Sequence, residues 1–434
     1  MKKIFRSKKG SYLVFLTISL CAMMIFVSAV LLASGQAAVG SSARSFGVLW
    51  GRSILAEYDR TLKARYGLFG FYGDAVMAEK KLNFYADYTC SGKSYVDCRA
   101  EKVRLEDYAI TNVDVFEKQI QEIVLSGVRP EPIFRAEGQS EGTGNRAVRS
   151  AWILSSLPSA GKKEGLNLTR LLQSLDEEFS LGQTAARAAD IRYIFTFFKH
   201  AGIEEPAEKE LGDTFLRNEA EYILSGKADD EKARKYVRRV LLAVRNALNL
   251  TYLYRCTEKR EAALAAAEVI SPGPAAVLTQ ALILESWALI EAENDLRLLD
   301  TGECVALRKK DENWAISLEN VLAAEFSGDN EEEEDKTPKQ KEPFIRPQST
   351  AGQSYEDYLK LLTAALPQEI RALRMMDLMQ INFKYLYNGS FLLRDYYTGL
   401  DYRLRVNGKT YGFTETYDRK NNTDFAKDKK DAQQ

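Results

Sequence analysis

The sequence predicts a mainly α-helical protein with small β elements, an α+β fold that begins with one long helix. Three observations predict it. Residues 11–35 form an uncharged apolar run, most of residues 146–300 have helical periodicity, and Asn407-Gly408 marks a β-hairpin. The chain has 434 residues, 45% of them hydrophobic, which is enough for about two to three domain-sized units.

The N-terminal run is predicted to cross a membrane. Residues 1–10 form a basic tip, residues 11–35 carry no charge, and the next charged side chain is Arg44. A helix rising about 1.5 Å per residue needs roughly 20 apolar residues to cross about 30 Å of hydrocarbon. Because Lys and Arg in a short flank stay in the cytoplasm, we expect a single-pass protein of the cell membrane with an extracytoplasmic body.

Two other interpretations of this run were weighed. A cleaved secretory signal has the same basic tip, and the small residues at 33–37 offer a cleavage site, although its apolar core usually spans about 7–15 residues. A buried helix of a soluble protein is disfavoured, because an uncharged run of this length is hard to surround in a small core. A membrane span is therefore the preferred interpretation, and cleavage stays open.

The span is expected to continue without a break into an amphipathic stalk helix, residues 36–73, which Gly67, Gly70 and Gly73 end. Residues 81–130 are predicted to form a small α+β region. It contains strands at Leu82–Tyr88 and Val103–Ile110 and a helix at Val115–Leu125.

A helical bundle is predicted over residues 146–326. Its clearest helix is Asp229–Tyr254, and Ser271-Pro272-Gly273-Pro274 separates it from Ala275–Leu299. The latter helix is apolar nearly all round, so we expect it at the centre of the bundle. A short hairpin is predicted to join Cys304–Leu307 to Trp314 and Ile316.

The C-terminal quarter begins with an acidic linker, residues 327–353, whose charge predicts disorder. Residues 354–418 are predicted to hold the helices Tyr355–Ala365 and Pro367–Tyr387 and then a hairpin. Its strands, Leu400–Val406 and Lys409–Tyr417, pair Leu404 with Tyr411 and Tyr402 with Phe413. A polar tail, residues 419–434, follows.

The sequence contains no motif for phosphate or dinucleotide binding, no nucleophile elbow and no zinc-protease motif. Its single histidine, His200, leaves little for a triad or a His-rich metal site. We therefore expect a protein that is not an enzyme and that has no cofactor, no metal and no small-molecule substrate. The formal net charge of -1 argues against nucleic acid.

Two pairs of side chains are candidates for structural roles. Cys90 and Cys98 are placed to close a small disulfide loop, and two free thiols are the equal alternative. Glu285 lies among apolar residues, so we predict a buried ion pair with Arg245 on the preceding helix. Glu291 and Asp295, four residues apart, are interpreted as an ordinary pair on a helix surface.

One stretch carries a resemblance to a known family. Residues 53–69 are S-I-L-A-E-Y-D-R-T-L-K-A-R-Y-G-L-F, and they include Ser53, Glu57, Tyr58, Tyr66 and Gly67. With Gly10-Ser11, Asn218–Gly226, Arg245-Asn246, Glu285-Ser286 and Tyr355–Leu359, this resembles domain-of-unknown-function family 5702. That family comprises single-span membrane proteins encoded beside tight-adherence (Tad) pilus genes in Gram-positive bacteria.

The resemblance implies a pseudopilin-like protein of the cell surface with a small pilin-like sheet, and its implied partners are the lipid bilayer and other pilus or surface-assembly proteins. Pilin precursors are typically cut after a glycine, which suggests processing between Gly10 and Ser11. The fifth residue after that cut is Phe15, where pilins have glutamate. We therefore expect a membrane-retained assembly component or minor subunit. A membrane-anchored adhesion module is the alternative.

Overall fold

The computed structural model describes residues 8–91, 97–134, 146–162, 165–169, 171–172, 185–202, 205–326 and 345–417. Most of the basic tip, most of the acidic linker and the polar tail lie outside the described residues. The fold is mainly helical with small antiparallel sheets, so the predicted α+β class is confirmed. The chain divides into two compact units. We call residues 8–60, 69–112 and 394–417 the helix–sheet unit, and residues 61–68 and 113–393 the helical unit.

Helix α1, Lys8–Leu55, has 48 residues, and α2 is a separate helix, Arg60–Tyr66. The predicted unbroken continuation of the span into a stalk helix is confirmed as far as Leu55, and its extension to residue 73 is wrong. Beyond Leu55 the backbone of Tyr58 and Asp59 pairs with Phe71 and Gly70, with Asp59 N–H donating to the Gly70 carbonyl at 2.9 Å. These contacts across a returning chain replace the hydrogen bonds that would have continued the helix.

The predicted strand at Leu82–Tyr88 is also wrong, because these residues belong to helix α3, Ala75–Cys90. The Asp74 carboxylate caps α3 by accepting from Met77 N–H at 2.7 Å. Ala78, Leu82 and Ala86 are buried at a spacing of four, which is helical. The second predicted strand starts earlier than expected, as β2, Cys98–Arg104, and Glu106–Tyr108 form a 3₁₀ turn.

The helix–sheet unit holds two antiparallel sheets. Strand β1, Phe71–Tyr72, pairs with β3, Tyr396–Tyr397. The larger sheet has the order β2-β4-β5, in which β4 is Gly399–Val406 and β5 is Lys409–Thr416. The C-terminal hairpin is confirmed with its register, since Leu404 faces Tyr411 and Tyr402 faces Phe413.

Besides most of α2, the helical unit contains eleven α-helices with assigned bounds among the residues that the structure describes. They are α4 Val113–Ser126, α5 Arg146–Ile153, α6 Ala185–Phe197, α7 Glu205–Glu210, α8 Glu219–Ser225, α9 Asp230–Arg255, α10 Thr257–Ile270, α11 Ala276–Asp300, α12 Leu318–Phe326, α13 Tyr355–Ala365 and α14 Gln368–Leu386.

Local signals fix the ends of several helices in this unit. Gly226 ends α8 in the left-handed region with φ of +67°, and Asp229 caps α9 by accepting from Lys232 N–H at 2.8 Å. Helix α13 has the predicted bounds, and a capping box formed by Ser354 and Asp357 fixes its start.

Two predictions for this unit are corrected. Helix α11 is not surrounded, because Val277, Leu278 and Leu282 are more than 60% exposed while its opposite face is buried. The hairpin after Gly302 does not form either. Val305 instead pairs with Gln353, and Trp314 packs edge-on against Trp287.

Candidate functional site

The candidate functional site is helix α1, which has two contrasting parts. From Tyr12 to Leu32 every large apolar side chain is between 45% and 71% exposed. Within Tyr12–Leu55 an 18-residue window has a mean hydropathy of 2.6, and by length and composition this helix is a possible membrane span or a signal sequence. Water is a poor solvent for so long an apolar surface, so the first part of α1 requires an apolar environment.

The second part of α1, residues 36–55, packs on the sheet of its own unit. A Cβ atom at Gly51 would lie 2.7 Å from the Tyr402 hydroxyl, and one at Gly40 would lie 3.2 Å from the Tyr411 hydroxyl. At Gly47 a Cβ would overlap the ring of Phe413. The three glycines are seven and four residues apart and therefore share a helix face, which lets the strands approach closely.

Polar contacts fix the rotation of α1 on this sheet. Tyr402 donates a hydrogen bond from its hydroxyl to the Gly47 carbonyl, and Trp50 donates from its indole N–H to Thr89 at 3.2 Å. Arg52 lies 3.6 Å from the buried carboxylate of Glu415. Burial raises the pKa of Glu415, and the guanidinium opposes that shift. The sheet therefore holds one defined face of the helix.

This glycine face is a feature that the sequence analysis missed. Gly40, Gly47 and Gly51 recur at helical spacing within one helix, and that spacing was available as a signal. Apolar periodicity identifies the large apolar side chains that a helix buries. It does not indicate where a helix leaves space for the aromatic rings of a packing partner.

The predicted processing residues, Gly10 and Ser11, lie in the first turns of α1. Processing between them stays a prediction. Residue 15, where a pilin has glutamate, is Phe15, and its side chain is 70% exposed on the apolar part of the helix.

Cys90 and Cys98 are reduced thiols in the structure, so the disulfide alternative is not formed here. Cys98 is buried in the core of the helix–sheet unit, and Cys90 packs against that core. Burial, with Cys90 as a neighbour, raises the pKa of the Cys98 thiol to about 12. A thiol that stays protonated is a weak nucleophile, so Cys98 is suited to packing.

The family-like motif divides between the two units. In the helix–sheet unit, Ser53 donates to the Leu49 carbonyl, Glu57 accepts from Lys81 and Tyr85, and the ring of Tyr58 meets that of Phe69. These residues make local contacts at and just beyond the end of α1.

The rest of the motif belongs to the helical unit. Tyr66 is fully buried, its carbonyl accepts from the Tyr193 hydroxyl at 2.7 Å, and its hydroxyl accepts from Asn382 at 2.9 Å. Burial raises the pKa of Tyr66 to about 12. Gly67 has φ of +70°, a conformation that favours glycine after a helix. The residues of the family-like motif therefore have structural roles.

The predicted ion pair between Arg245 and Glu285 is wrong. Arg245 binds Asp295 through two nitrogens, at 2.9 and 3.0 Å, and both side chains are fully buried. Glu285 is exposed and accepts from Asn246 at 2.9 Å. Because α11 is apolar on nearly every side, its sequence pattern did not reveal that residue 285 faces water and residue 295 faces the core.

Glu291 and Asp295 are likewise buried, which corrects their placement on a surface. Lys309 lies between them, with its Nζ 2.6 Å from Glu291 and 2.7 Å from Asp295. Burial raises the pKa of Glu291, and Lys309 opposes the shift. With Arg245 these residues form a neutral cluster of two cations and two carboxylates, which we call the buried charge cluster.

Every charged group of this cluster is engaged by neighbouring protein. Arg245 also donates to the carbonyls of Ala306 and Leu307, and Glu291 accepts from the backbone N–H groups of Ala315 and Ile316. The cluster therefore fastens the segment after α11 to α9 and α11. Neighbouring protein groups occupy the space around the cluster, so it is suited to stabilising the fold and not to binding a substrate.

A surface cleft of about 620 Å³ lies in the helical unit beside α4 and α6. Arg129, Arg192 and Glu210 line it among mainly apolar residues. Within the described parts of the chain, no group of three or more His, Cys, Asp or Glu side chains is arranged to hold a metal ion.

Comparison with known proteins gives one match. A model described as a family of unknown function, DUF5702, covers residues 144–408, which is more than half of the chain. No curated protein and no solved structure matches the sequence or the fold. The chain belongs to this family of unknown function.

Proposed function

We propose that the protein is a non-enzymatic, membrane-anchored component of Tad-type pilus assembly, with its body outside the cytoplasm. It would act as a large minor-pilin-like or scaffold subunit. The observation that carries the proposal is the division of α1 into an exposed apolar part and a part packed on an antiparallel sheet. The Tad connection itself comes from the family resemblance.

The exposed part of α1 has the dimensions that an anchor needs. Tyr12 to Leu32 spans about 30 Å at about 1.5 Å per residue, which matches the hydrocarbon thickness of a bilayer. The same surface suits packing against like helices if the segment leaves the lipid. The basic residues before it favour a cytoplasmic N-terminus.

Two features favour an assembly role over that of a major subunit. Phe15 stands where a pilin uses a glutamate to pair with its neighbour, so the usual contact within a filament is missing. The chain is also 434 residues long, and most of the residues that the structure describes belong to the helical unit. A large body suits a protein that docks or caps a filament.

Deleting the gene tests the proposal. We expect fewer surface pili, counted by electron microscopy, with unchanged synthesis of the major pilin on immunoblots. Piliation should return when the intact gene is supplied on a plasmid. Normal piliation in the deletion strain would contradict the proposal.

An adhesion module that uses α1 only as an anchor is the second candidate. The exposed apolar face of α11, with Val277, Leu278 and Leu282, favours it because such a surface is typical of binding proteins. Replacing residues 11–35 by an unrelated span separates the two candidates. An adhesin keeps its function with the foreign span, whereas a pilin-like component loses it.

A further inference from the structure

The turn of the C-terminal hairpin lies beside α1 where the apolar part of that helix ends. The Lys409 ammonium is 3.3 Å from the side-chain oxygen of Gln36. Further along the same strand, Tyr411 reaches Gly40 and Phe413 reaches Gly47. Strand β5 therefore runs alongside α1 in the same direction, and the turn is its end nearest to the apolar part.

The height of this turn above the apolar part follows from helix geometry. Leu32 is the last strongly exposed apolar residue of the run, and Gln36 comes four residues later, about 6 Å along the axis at 1.5 Å per residue. A bilayer of about 40–45 Å with a core of about 30 Å has a headgroup layer of roughly 5–8 Å on each side. If α1 spans the bilayer, the turn lies within that layer.

The turn and the strand pair behind it are mainly cationic. Lys409 is exposed, and Arg405 and Arg99 face each other across the next rung of the sheet. The opposing charges are Asp97, whose carbonyl accepts from Asn407 N–H, and Glu101, which lies 2.9 Å from Arg405. Three cations against two carboxylates leave a positive excess, and Lys409 is the cation nearest to the lipid.

We propose that this turn, residues 406–410, is a lipid-binding surface in which Lys409 contacts the phosphates of lipid headgroups. The inference rests on the proposed anchor and adds a second point of attachment to it. A single helix leaves a protein free to tilt and rotate at the membrane. A turn seated among phosphates removes part of that freedom and fixes which face of the helix–sheet unit points to the membrane.

Photocrosslinking tests the contact in the full chain, reconstituted in vesicles of phosphatidylcholine and phosphatidylglycerol. The photoreactive residue p-benzoylphenylalanine replaces either Thr410, next to Lys409, or Thr414, exposed on the same face and roughly 13 Å further along the strand. Mass spectrometry counts the lipid adducts. We expect adducts at position 410 and few or none at position 414.

A charge variant tests the chemistry of the contact. Since a basic residue near an anionic surface contributes about a fivefold preference, Lys409→Gln should lower the ratio of phosphatidylglycerol to phosphatidylcholine adducts at position 410 by up to about that factor. Arg403→Gln is the matched control, because Arg403 is exposed further along the hairpin. We expect it to leave the ratio unchanged.

Flotation of the vesicles separates the two proposals. If the protein floats with the vesicles and position 410 gives no more adduct than position 414, the lipid contact is overturned and the anchor stands. An unchanged ratio in Lys409→Gln overturns the role of that lysine. A chain that does not float overturns the anchor and, with it, the contact that rests on it.

Discussion

The two units of this protein are stabilised by different chemistry. The helix–sheet unit keeps most of its described charges at the surface, with Glu415 as a buried exception, and fits aromatic rings onto glycines, as at Gly47 and Phe413. The helical unit buries charges, among them Arg245, Asp295 and the pair Arg371–Asp190 at 2.6 Å. The first unit therefore depends on steric fit, and the second depends on charges that remain paired.

Breaking the buried charge cluster should have the largest effect. Lys309→Met leaves two buried carboxylates with one cation fewer, and removing one partner of a buried pair costs about 3–5 kcal/mol of unfolding free energy. Chemical denaturation in detergent, followed by the fluorescence of Trp287 and Trp314 in the helical unit, measures the loss. Glu285→Gln, at an exposed site, is the control and should stay within about 0.5 kcal/mol of the parent. Equal stability of the two variants would show that the cluster is not structural.

Steric fit in the helix–sheet unit is tested at Gly47. Gly47→Ala drives a methyl group into the ring of Phe413, and such overpacking typically costs about 1–3 kcal/mol. Thermal unfolding followed by near-ultraviolet circular dichroism measures it. Gly35→Ala is the control, because its Cβ meets no atom within 4 Å and alanine favours a helix. If the Gly47→Ala protein were as stable as the Gly35→Ala protein, the close fit at the glycine face would not contribute to stability.

A smaller effect is expected at the hairpin turn. Gly408 has φ of +77°, so Gly408→Ala introduces a left-handed alanine at a cost of about 1–2 kcal/mol. Hydrogen exchange of the β4 and β5 amides should report faster opening. Gly412→Ala is matched to it, since Gly412 lies in the same hairpin with a negative φ and open space around it. If the β4 and β5 amides open faster in both variants, the left-handed conformation of Gly408 does not explain the loss of hairpin stability.

Acidification should change the contributions of Glu219 and Asp401, one carboxyl in each unit, with opposite signs. Burial raises the pKa of Glu219 in the helical unit, so the folded state gains protons, and stability, as the pH falls from neutral towards 4.5. Glu219→Gln removes that gain. In the helix–sheet unit, burial raises the pKa of Asp401, but hydrogen bonds from Thr414 and Tyr108, together with Arg104, lower it below 3.8 overall. Its contribution is therefore present at neutral pH and is lost as the pH falls below 3.8.

Hydrogen exchange, corrected for the intrinsic effect of pH, measures the two units separately. We expect slower opening of α8 on mild acidification in the parent and no such slowing in Glu219→Gln. Asp401→Asn should reduce the loss of protection in β4 that the parent shows at lower pH. Identical pH profiles for the parent and the variants would contradict the pKa shifts of Glu219 and Asp401.

Local signals in the sequence predicted local structure well. The hairpin follows from Asn407-Gly408 with alternating side chains, and α9 and α13 follow from their caps. The strand prediction for Leu82–Tyr88 fails because aromatic residues favour strands, whereas the Asp74 cap and the buried residues at a spacing of four make this segment helix α3.

The features that were missed depend on distant partners. The end of α1 depends on Gly70 and Phe71, which return beside it, and the burial of Asp295 depends on Arg245 and Lys309. A helix that is apolar on nearly every side does not indicate which side faces the core. For the same reason the glycine face of α1 has meaning only beside the rings of β4 and β5.

The separation of α1 from its sheet along the chain has a consequence for synthesis. Tyr402 donates to the Gly47 carbonyl across 355 residues, so α1 is made first and its strands are made last. If α1 is the membrane anchor proposed above, it enters the membrane while residues 113–393 of the helical unit are still to be translated. The glycine face of α1 therefore has no strands to pack against until β4 and β5 emerge, and a chain that stops before Gly399 has α1 without these strands.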